Sequence, residues 1–180
     1  MAQLSFKIDL TRCVGCRACE VACKSENNTP VGVRYRKVVD VLTGTFPNLK
    51  KQFVSMACFH CKDPACVAAC PSGAAFKESA FGIVRIDQEV CVGCKRCIAA
   101  CPYGAPQFNA ATGTTEKCTM CYHRIVDETG VGLVPGMLPA CVTSCIGRAL
   151  TLEFDNGDVG EAPAKFADPT LTKPSVTFTT

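Results

Sequence analysis

The stretch CVGCRACEVAC fills residues 13–23, and the chain repeats it as CVGCKRCIAAC at residues 91–101. Both copies place cysteine at the first, fourth, seventh and eleventh positions, with glycine at the third. Each copy is followed by a second group of four cysteines, and these groups end alike, in PACVAAC at residues 64–70 and PACVTSC at residues 139–145. The chain is therefore a duplicated two-motif unit. The later copy carries fifteen extra residues before its PACVTSC stretch.

Cysteine makes up 16 of the 180 residues, a share that is common in secreted proteins held together by disulfides. The N-terminal stretch MAQLSFKIDLTRC, however, has neither a basic region followed by an apolar one nor paired arginines, which are marks of an export signal. The cysteines also stand in fours, as metal ligands do in intracellular proteins. We therefore expect bound metal and a cytoplasmic location.

The residue composition of the chain predicts a small hydrophobic core. The chain has no tryptophan, 14 glycines and 11 prolines, and few long apolar segments with a regular period. We expect bound metal to supply part of the stability that such a core lacks. The longest uncharged run, residues 129–147, contains prolines and is at the short end of a membrane span. We therefore expect no direct membrane insertion.

The spacing of the cysteines indicates which metal they bind. Structural zinc sites combine two CxxC pairs that are a dozen or more residues apart. In CxxCxxCxxxC, by contrast, three cysteines curl around three corners of one 4Fe–4S cube and the fourth points toward a neighbouring cluster. Cys70-Pro71 and Cys101-Pro102 add the proline that follows such runs in bacterial ferredoxins. The pattern favours four 4Fe–4S clusters, and zinc is the alternative.

The basic net charge does not indicate a nucleic-acid partner. The value of +3 counts every thiol as neutral, and with all cysteines as thiolates around four cubane cores it would fall to about −5. We interpret the cations beside the cysteines as groups that offset cluster charge or form solvated faces, rather than as a nucleic-acid patch. They are Arg12, Arg17, Lys24, Lys62, Lys95, Arg96, Lys117 and Arg148.

Short strands and stubby helices are predicted around the cysteine loops. The strands are expected at residues 6–8, 33–42, 52–56, 83–86 and 150–154. The helical turns are expected at residues 19–24, 64–70, 97–101 and 120–127. From about residue 155 the chain is rich in Gly, Pro and Thr, and we expect a flexible or surface-hugging arm, with a partner-binding strand as the alternative.

The four groups also resemble a known family in their order and their flanking residues. With CPSGA at residue 70, CPYGAPQFN at residue 101, EKCTMC at residue 116 and a long gap before PACVTSC, they are similar to the four-cluster electron-transfer subunit of the dimethyl sulfoxide reductase family. The resemblance runs from about residue 6 to residue 154 and resumes weakly at TKPSV near the end.

This resemblance implies an α+β fold made of two interleaved, bacterial-ferredoxin-like βαββαβ domains. Residues 1–50 and 111–154 would form domain one, around cysteine groups one and four. Residues 51–110 would form domain two, around groups two and three. Residues 155–180 would form an irregular, extended C-terminal tail.

The family's cross-ligation, transferred by motif position, joins group one to group four and group two to group three. It implies four ligand sets, each with three cysteines of one group and the last cysteine of its partner group. Set 1 is Cys13, Cys16, Cys19 and Cys145; set 2 is Cys118, Cys121, Cys141 and Cys23; set 3 is Cys58, Cys61, Cys66 and Cys101; set 4 is Cys91, Cys94, Cys97 and Cys70. Because every position is cysteine, the resemblance implies four-iron rather than three-iron clusters throughout.

No residue arrangement in the sequence indicates catalysis. His60 and His123 stand in or just after a CxxC pair, and we expect them to hydrogen-bond cluster sulfur or solvent. The resemblance implies a non-catalytic subunit that conducts electrons between a molybdenum- or tungsten-pterin catalytic subunit and a quinone-binding membrane subunit, a flavin subunit or a soluble carrier. It also implies periplasmic co-export beside a signal-bearing partner as the alternative to a cytoplasmic location. The alternatives are a free-standing polyferredoxin, the electron-wire subunit of a tungsten aldehyde oxidoreductase, and a zinc-binding interaction module.

Overall fold

Short elements joined by tight turns make up the secondary structure of the computed structural model, which describes residues 2–180. Within these residues the strands are β1 (Leu4–Asp9), β2 (Lys37–Thr43), β3 (Lys50–Met56), β4 (Ala75–Lys77), β5 (Val84–Ile86), β6 (Gln107–Asn109), β7 (Thr114–Glu116), β8 (Leu150–Phe154) and β9 (Val176–Thr179). The helices are α1 (Ala18–Asn27), α2 (Ala65–Ala68), α3 (Arg96–Ala100), α4 (Tyr122–Ile125) and α5 (Ala140–Thr143), with a 3₁₀ helix at Pro169–Leu171. In this part of the chain no helix has the length and apolar character needed to cross a membrane.

Strand β1 is the centre of a three-stranded sheet with the order β8-β1-β9. It pairs antiparallel with β8 and parallel with β9, where Phe6 lies opposite Val176. Phe6 and Ile8 are completely buried, whereas Lys7 between them forms a partly exposed ion pair with Glu153 at 3.4 Å. This alternation directs one face of the sheet toward the core. Because β1 pairs with β9, the sheet holds the N-terminal and C-terminal strands side by side.

The C-terminal arm differs from the irregular tail expected for residues 155–180. Its end forms β9, in which Val176 and Phe178 are 0% and 1% exposed. Both side chains enter the core because they alternate with threonines, so that the strand has one apolar face. Phe166, earlier in the arm, packs edge-on against Phe178 with ring centroids 5.1 Å apart. The expectation of an irregular arm is therefore wrong for its last strand, which β1 holds in the sheet.

Three separate antiparallel ribbons, β2-β3, β4-β5 and β6-β7, complete the described strands. Each ribbon follows a helix that carries one cysteine group. The strand expected from residue 33 begins later, at Lys37. The reason is a loop held by Lys24, whose ammonium donates to the carbonyl groups of Thr29, Pro30 and Val33 at 3.1, 2.8 and 2.9 Å. These carbonyls are therefore satisfied without a neighbouring strand.

Helices from different cysteine groups pack against each other. Helix α1 of group one packs on α5 of group four, and α2 of group two packs on α3 of group three. The larger apolar core includes Cys19, Cys58 and Cys118, and a smaller core joins Cys66 and Cys97 around Val84. Cysteine side chains therefore occupy places that apolar side chains fill in an ordinary domain.

Candidate metal centres

Three small cavities are each lined by four cysteines. The first is lined by Cys13, Cys16, Cys19 and Cys145, the second by Cys58, Cys61, Cys66 and Cys101, and the third by Cys70, Cys91, Cys94 and Cys97. In each cavity three cysteines come from one group and the fourth from its partner group. The structure thus gathers the members of sets 1, 3 and 4, and all sixteen cysteines are free thiols.

The four cysteines of set 2 are buried and close to one another. Cys23 lies on α1 and Cys141 on α5, which pack together. Burial and then the charge of Cys141 raise the pKa of Cys23 to about 12. Burial and then the charge of Cys23 raise the pKa of Cys118 well above its ordinary value, and Cys121 also acts on Cys23. Such mutual effects need side chains that are neighbours.

The backbone of the first and third cysteine loops follows the same path. Gly15 and Gly93 have φ angles of 69° and 67°, and Arg17 and Lys95 both have φ of 61° just before their helices. A Cβ atom on Gly15 would lie 2.6 Å from the Phe53 ring. A Cβ on Gly93 would meet the backbone carbonyl oxygen of Gly113 still more closely. The duplication read from the sequence is therefore also a duplication of backbone conformation, in which glycine is required for both turn and space.

Backbone N–H groups point at the cysteine sulfur atoms. In groups two and four, His60 and Met120 have φ of 44° and 59°, and their N–H groups donate to the Sγ atoms of Cys58 and Cys118 at 3.5 and 3.3 Å. Further N–H donors are Ala75 to Cys70 at 3.4 Å, Thr115 to Cys91 at 3.5 Å and Ala149 to Cys145 at 3.2 Å. Such bonds stabilise the thiolate, which is the form that binds metal.

Burial makes two of the thiols weakly acidic, whereas hydrogen bonds make a third more acidic. Burial raises the pKa of Cys66 to about 12 and that of Cys61 to about 11. Burial acts in the same direction on Cys70, but hydrogen bonds from the Ala75 N–H and the Ser72 hydroxyl lower the pKa of that thiol below its ordinary value. When a metal binds a buried thiol, the thiol loses its proton. The positive metal compensates the negative thiolate charge, which burial alone would disfavour.

Two buried cations and a buried imidazole indicate that an anionic group binds beside the cysteines. Arg36 is 1% exposed, Lys117 is 2% exposed and His60 is completely buried. Within residues 2–180, Nε and Nη2 of Arg36 and Nε2 of His60 have no hydrogen-bond partner. Buried polar groups almost always have hydrogen-bond partners. Donors without a partner beside the cysteines therefore indicate that another acceptor binds there. A cluster with sulfide and thiolate sulfur is such an acceptor, and the residues present therefore fit it.

Three of the eight cations that flank the cysteines in sequence have partners of their own. Arg17 pairs with Glu20 at 3.4 Å and Lys62 with Asp155 at 3.0 Å, while Lys24 binds the carbonyl groups described above. Among the eight flanking cations, Lys117 is the buried one, and its ammonium donates to the carbonyl groups of Val84 and Cys118. Sequence reasoning missed Arg36, which stands before a strand like any surface arginine and far from the cysteines in sequence.

The two histidines have different surroundings. Nδ1 of His60 accepts a hydrogen bond from the backbone N–H of Val84 at 3.0 Å, which leaves Nε2 as the ring atom that carries a proton in the neutral form. Burial and the nearby charge of Lys117 hold the pKa of His60 well below its ordinary value. His123 is half exposed and pairs with Glu26 on α1 at 2.8 Å. His60 is therefore a neutral buried donor, whereas His123 joins two helices.

Successive sets are neighbours in the order 1, 2, 3 and 4, and sets 1 and 4, the two ends of this row, reach the surface. Cys19 of set 1 is influenced by Cys141 of set 2, Cys118 of set 2 is influenced by Cys58 of set 3, and sets 3 and 4 share the α2–α3 contact. Cys16 of set 1 and Cys94 of set 4 are the exposed cysteines among the sixteen. The inner sets are more enclosed, so the row has two accessible ends.

Comparisons with known proteins find iron–sulfur relatives over most of the chain. Two family models described as 4Fe–4S dicluster domain match residues 12–74 and residues 49–155. A component of anaerobic dimethyl sulfoxide reductase from Escherichia coli is 38% identical over 174 residues, which cover 92% of this chain and 78% of that relative. A sulfite dehydrogenase subunit of Allochromatium vinosum is 37% identical, with 83% and 68% covered. The iron–sulfur subunit of a Shewanella arsenate respiratory reductase is 33% identical, with 91% and 85% covered.

Proposed function

Because the chain belongs to the family of iron–sulfur subunits that serve dimethyl sulfoxide reductase and related enzymes, we propose that it conducts electrons through its clusters inside a reductase complex. The chain carries 4Fe–4S dicluster domains and sixteen cysteines, which provide for four 4Fe–4S clusters. Each cluster supplies a centre that takes up and releases one electron. The work of the polypeptide is to hold these centres, to exclude water from the inner ones and to set their potentials.

The observation that carries the ligand assignment is the composition of the three cysteine cavities. Each combines three cysteines of one group with the last cysteine of its partner group. We assign sets 1 to 4 as the ligands of the four clusters, with set 2 supported by the mutual influence of its buried thiols. The crossed fourth cysteine ties neighbouring clusters to one another through the polypeptide.

The same crossing supports two interleaved ferredoxin-like domains. The packing of α1 on α5 would bring residues 1–50 and 111–154 into one domain, and the packing of α2 on α3 would make residues 51–110 the other. The sheets are small and separate, and β9 from residues 155–180 adds to β1. The proposed domains are therefore held by clusters and helix contacts more than by a continuous sheet.

The partners are proposed from the names and roles of the relatives. These relatives are single components of multi-subunit reductases and dehydrogenases, which implies a separate catalytic subunit, and we propose a molybdenum- or tungsten-pterin subunit here. A third redox subunit or soluble carrier would exchange electrons at the opposite end of the row. The exposed Cys16 and Cys94 mark the two sets where such partners would approach.

Metal and sulfide analysis tests the proposed function directly. Protein purified without oxygen should hold about sixteen iron and sixteen sulfide per chain, four of each per cluster. About four zinc per chain, with no sulfide, would instead support a zinc-binding module. Purification of the native complex separates the remaining possibilities, because an electron-transfer subunit should come with a large catalytic chain that contains molybdenum or tungsten. A chain that runs alone, fully loaded with iron, would point to a free-standing polyferredoxin.

A further inference from the structure

Arg36 is the one buried arginine of the described chain, and it lies between two cysteine sets. It directly precedes β2 and is 1% exposed. The cysteines whose charges act on it are Cys19 of set 1 and Cys23, Cys118 and Cys141 of set 2. Burial lowers the pKa of Arg36, but the ionised forms of these cysteines raise it by more, so that the pKa lies above its ordinary value. A permanent positive charge is therefore fixed where the first two sets meet.

The contacts of Arg36 leave part of its guanidinium free. Nη1 donates to the Ser55 hydroxyl at 3.0 Å and to the Ser55 carbonyl oxygen at 3.3 Å. The guanidinium carbon lies 4.4 Å from the centre of the Phe6 ring. The Ser55 hydroxyl in turn lies 3.4 Å from the sulfur of Cys19. The Nη1 edge of the guanidinium is thus hydrogen-bonded to β3 and the group lies over the Phe6 ring of β1, which fixes its position next to set 1.

The remaining edge has no partner among residues 2–180. Nε and Nη2 are buried without a hydrogen bond, and none of the ion pairs formed by the described residues includes Arg36. A guanidinium without a carboxylate in the interior is strongly unfavourable unless another negative group compensates it. Fully thiolate-ligated clusters carry net negative charge and many sulfur acceptors, so they would satisfy both the charge and the free donors.

We propose that Arg36 raises the reduction potentials of the clusters held by sets 1 and 2, because its buried charge and free N–H donors favour their reduced forms. This inference rests on the proposed function, since it presumes that these sets hold clusters. Reduction brings one electron from a redox partner to a cluster, adds one negative charge and requires no proton. A fixed positive charge nearby stabilises the reduced form more than the oxidised form, and hydrogen bonds to sulfur act in the same direction.

Arg36→Met removes the charge and the donors while keeping an apolar stem of similar length. Arg34→Met is the matched control, because Arg34 is two residues away and half exposed, and it pairs with Glu20 at 3.5 Å. The full chain, loaded with clusters, would be titrated with dithionite and followed by EPR. We expect Arg36→Met to lower the reduction equilibrium constant of one or both clusters of sets 1 and 2 at least tenfold, which is about 59 mV for one electron. Arg34→Met should change it less than about threefold, because solvent screens its charge.

Two further measurements keep the test decisive. Arg36→Lys retains the charge and should shift the potential less than Arg36→Met does. If Arg36→Met does not load clusters, unsubstituted protein with ¹⁵N in its guanidinium groups is examined by pulsed EPR, and a nitrogen coupling to a reduced cluster is expected. The inference would be overturned if cluster-loaded Arg36→Met had the same reduction potentials as Arg34→Met. It would also be overturned if the labelled protein showed no nitrogen coupling to a reduced cluster. Iron and sulfide content is measured in every sample, so absence of iron from unsubstituted protein contradicts the proposed function instead.

Discussion

Gly15 shows how a single residue positions a cysteine loop. Its φ of 69° lies in the left-handed region, and its missing side chain leaves room for the Phe53 ring of the β2-β3 ribbon. The residue therefore serves two needs, a turn between Cys13 and Cys16 and the close approach of an aromatic side chain. Most residues could meet neither need without strain.

Gly15→Ala should weaken the loop of set 1 through both effects. Left-handed φ costs an alanine about 1–2 kcal/mol, and the clash with Phe53 adds about 1–3 kcal/mol. Gly136→Ala is the matched control, since Gly136 has φ of 74° and nothing within 4 Å of an added Cβ. Thermal unfolding of cluster-loaded protein should show a clearly lower midpoint for Gly15→Ala than for Gly136→Ala. Equal midpoints would mean that the contact with Phe53 contributes nothing.

Strand β9 is the element that the sequence describes least well. It pairs with β1 from the opposite end of the chain, and its Phe178 lies in an aromatic group with Phe59 and Phe166. A strand of four residues is too short for an alternating apolar pattern to be recognised, and this one follows a stretch rich in Gly and Pro. The strand exists because a tertiary partner is present, not because of local preference.

Phe178→Ala should destabilise the protein by about 3–5 kcal/mol, the usual cost of emptying the place of a buried phenylalanine. Phe154→Ala in β8 of the same sheet is the control, because Phe154 is 57% exposed and should cost less than about 1 kcal/mol. Chemical denaturation of loaded protein measures both. Similar values for the two variants would show that the C-terminal arm is not part of the core.

The parts of the fold that depend on local sequence were predictable, and the parts that depend on distant contacts were not. Strands β1 and β8 and helices α1 to α4 lie near their expected places, whereas α5, β4, β6 and β7 were not predicted. The family, four iron–sulfur clusters and electron transfer follow from cysteine spacing and flanking residues, and the comparisons confirm them. The burial of Arg36 could not be predicted, since it depends on β1 and β3 folding around a residue with no local mark.

At the scale of the whole molecule, the clusters should be required for the fold. Cysteine side chains are part of both apolar cores. In the protein without clusters, Arg36 and Lys117 would be buried without anionic partners. Oxidative removal of iron with a chelator should therefore abolish cooperative unfolding and most protection of amide hydrogens from exchange. Chelator alone, without oxidant, is the control. Iron-free protein that keeps native protection would show that the polypeptide folds without its clusters.

The central claim is that the fourth cysteine of each group serves the cluster of the partner group. Cys70→Ser, Cys91→Ser and Cys58→Ser test it most directly by EPR of the reduced, loaded protein. Cys70 lines one cavity with Cys91, whereas Cys58 lines another. The account predicts that Cys70→Ser changes the same cluster signal as Cys91→Ser and leaves the signal changed by Cys58→Ser intact. A Cys70→Ser spectrum that instead matches Cys58→Ser would contradict the crossed arrangement.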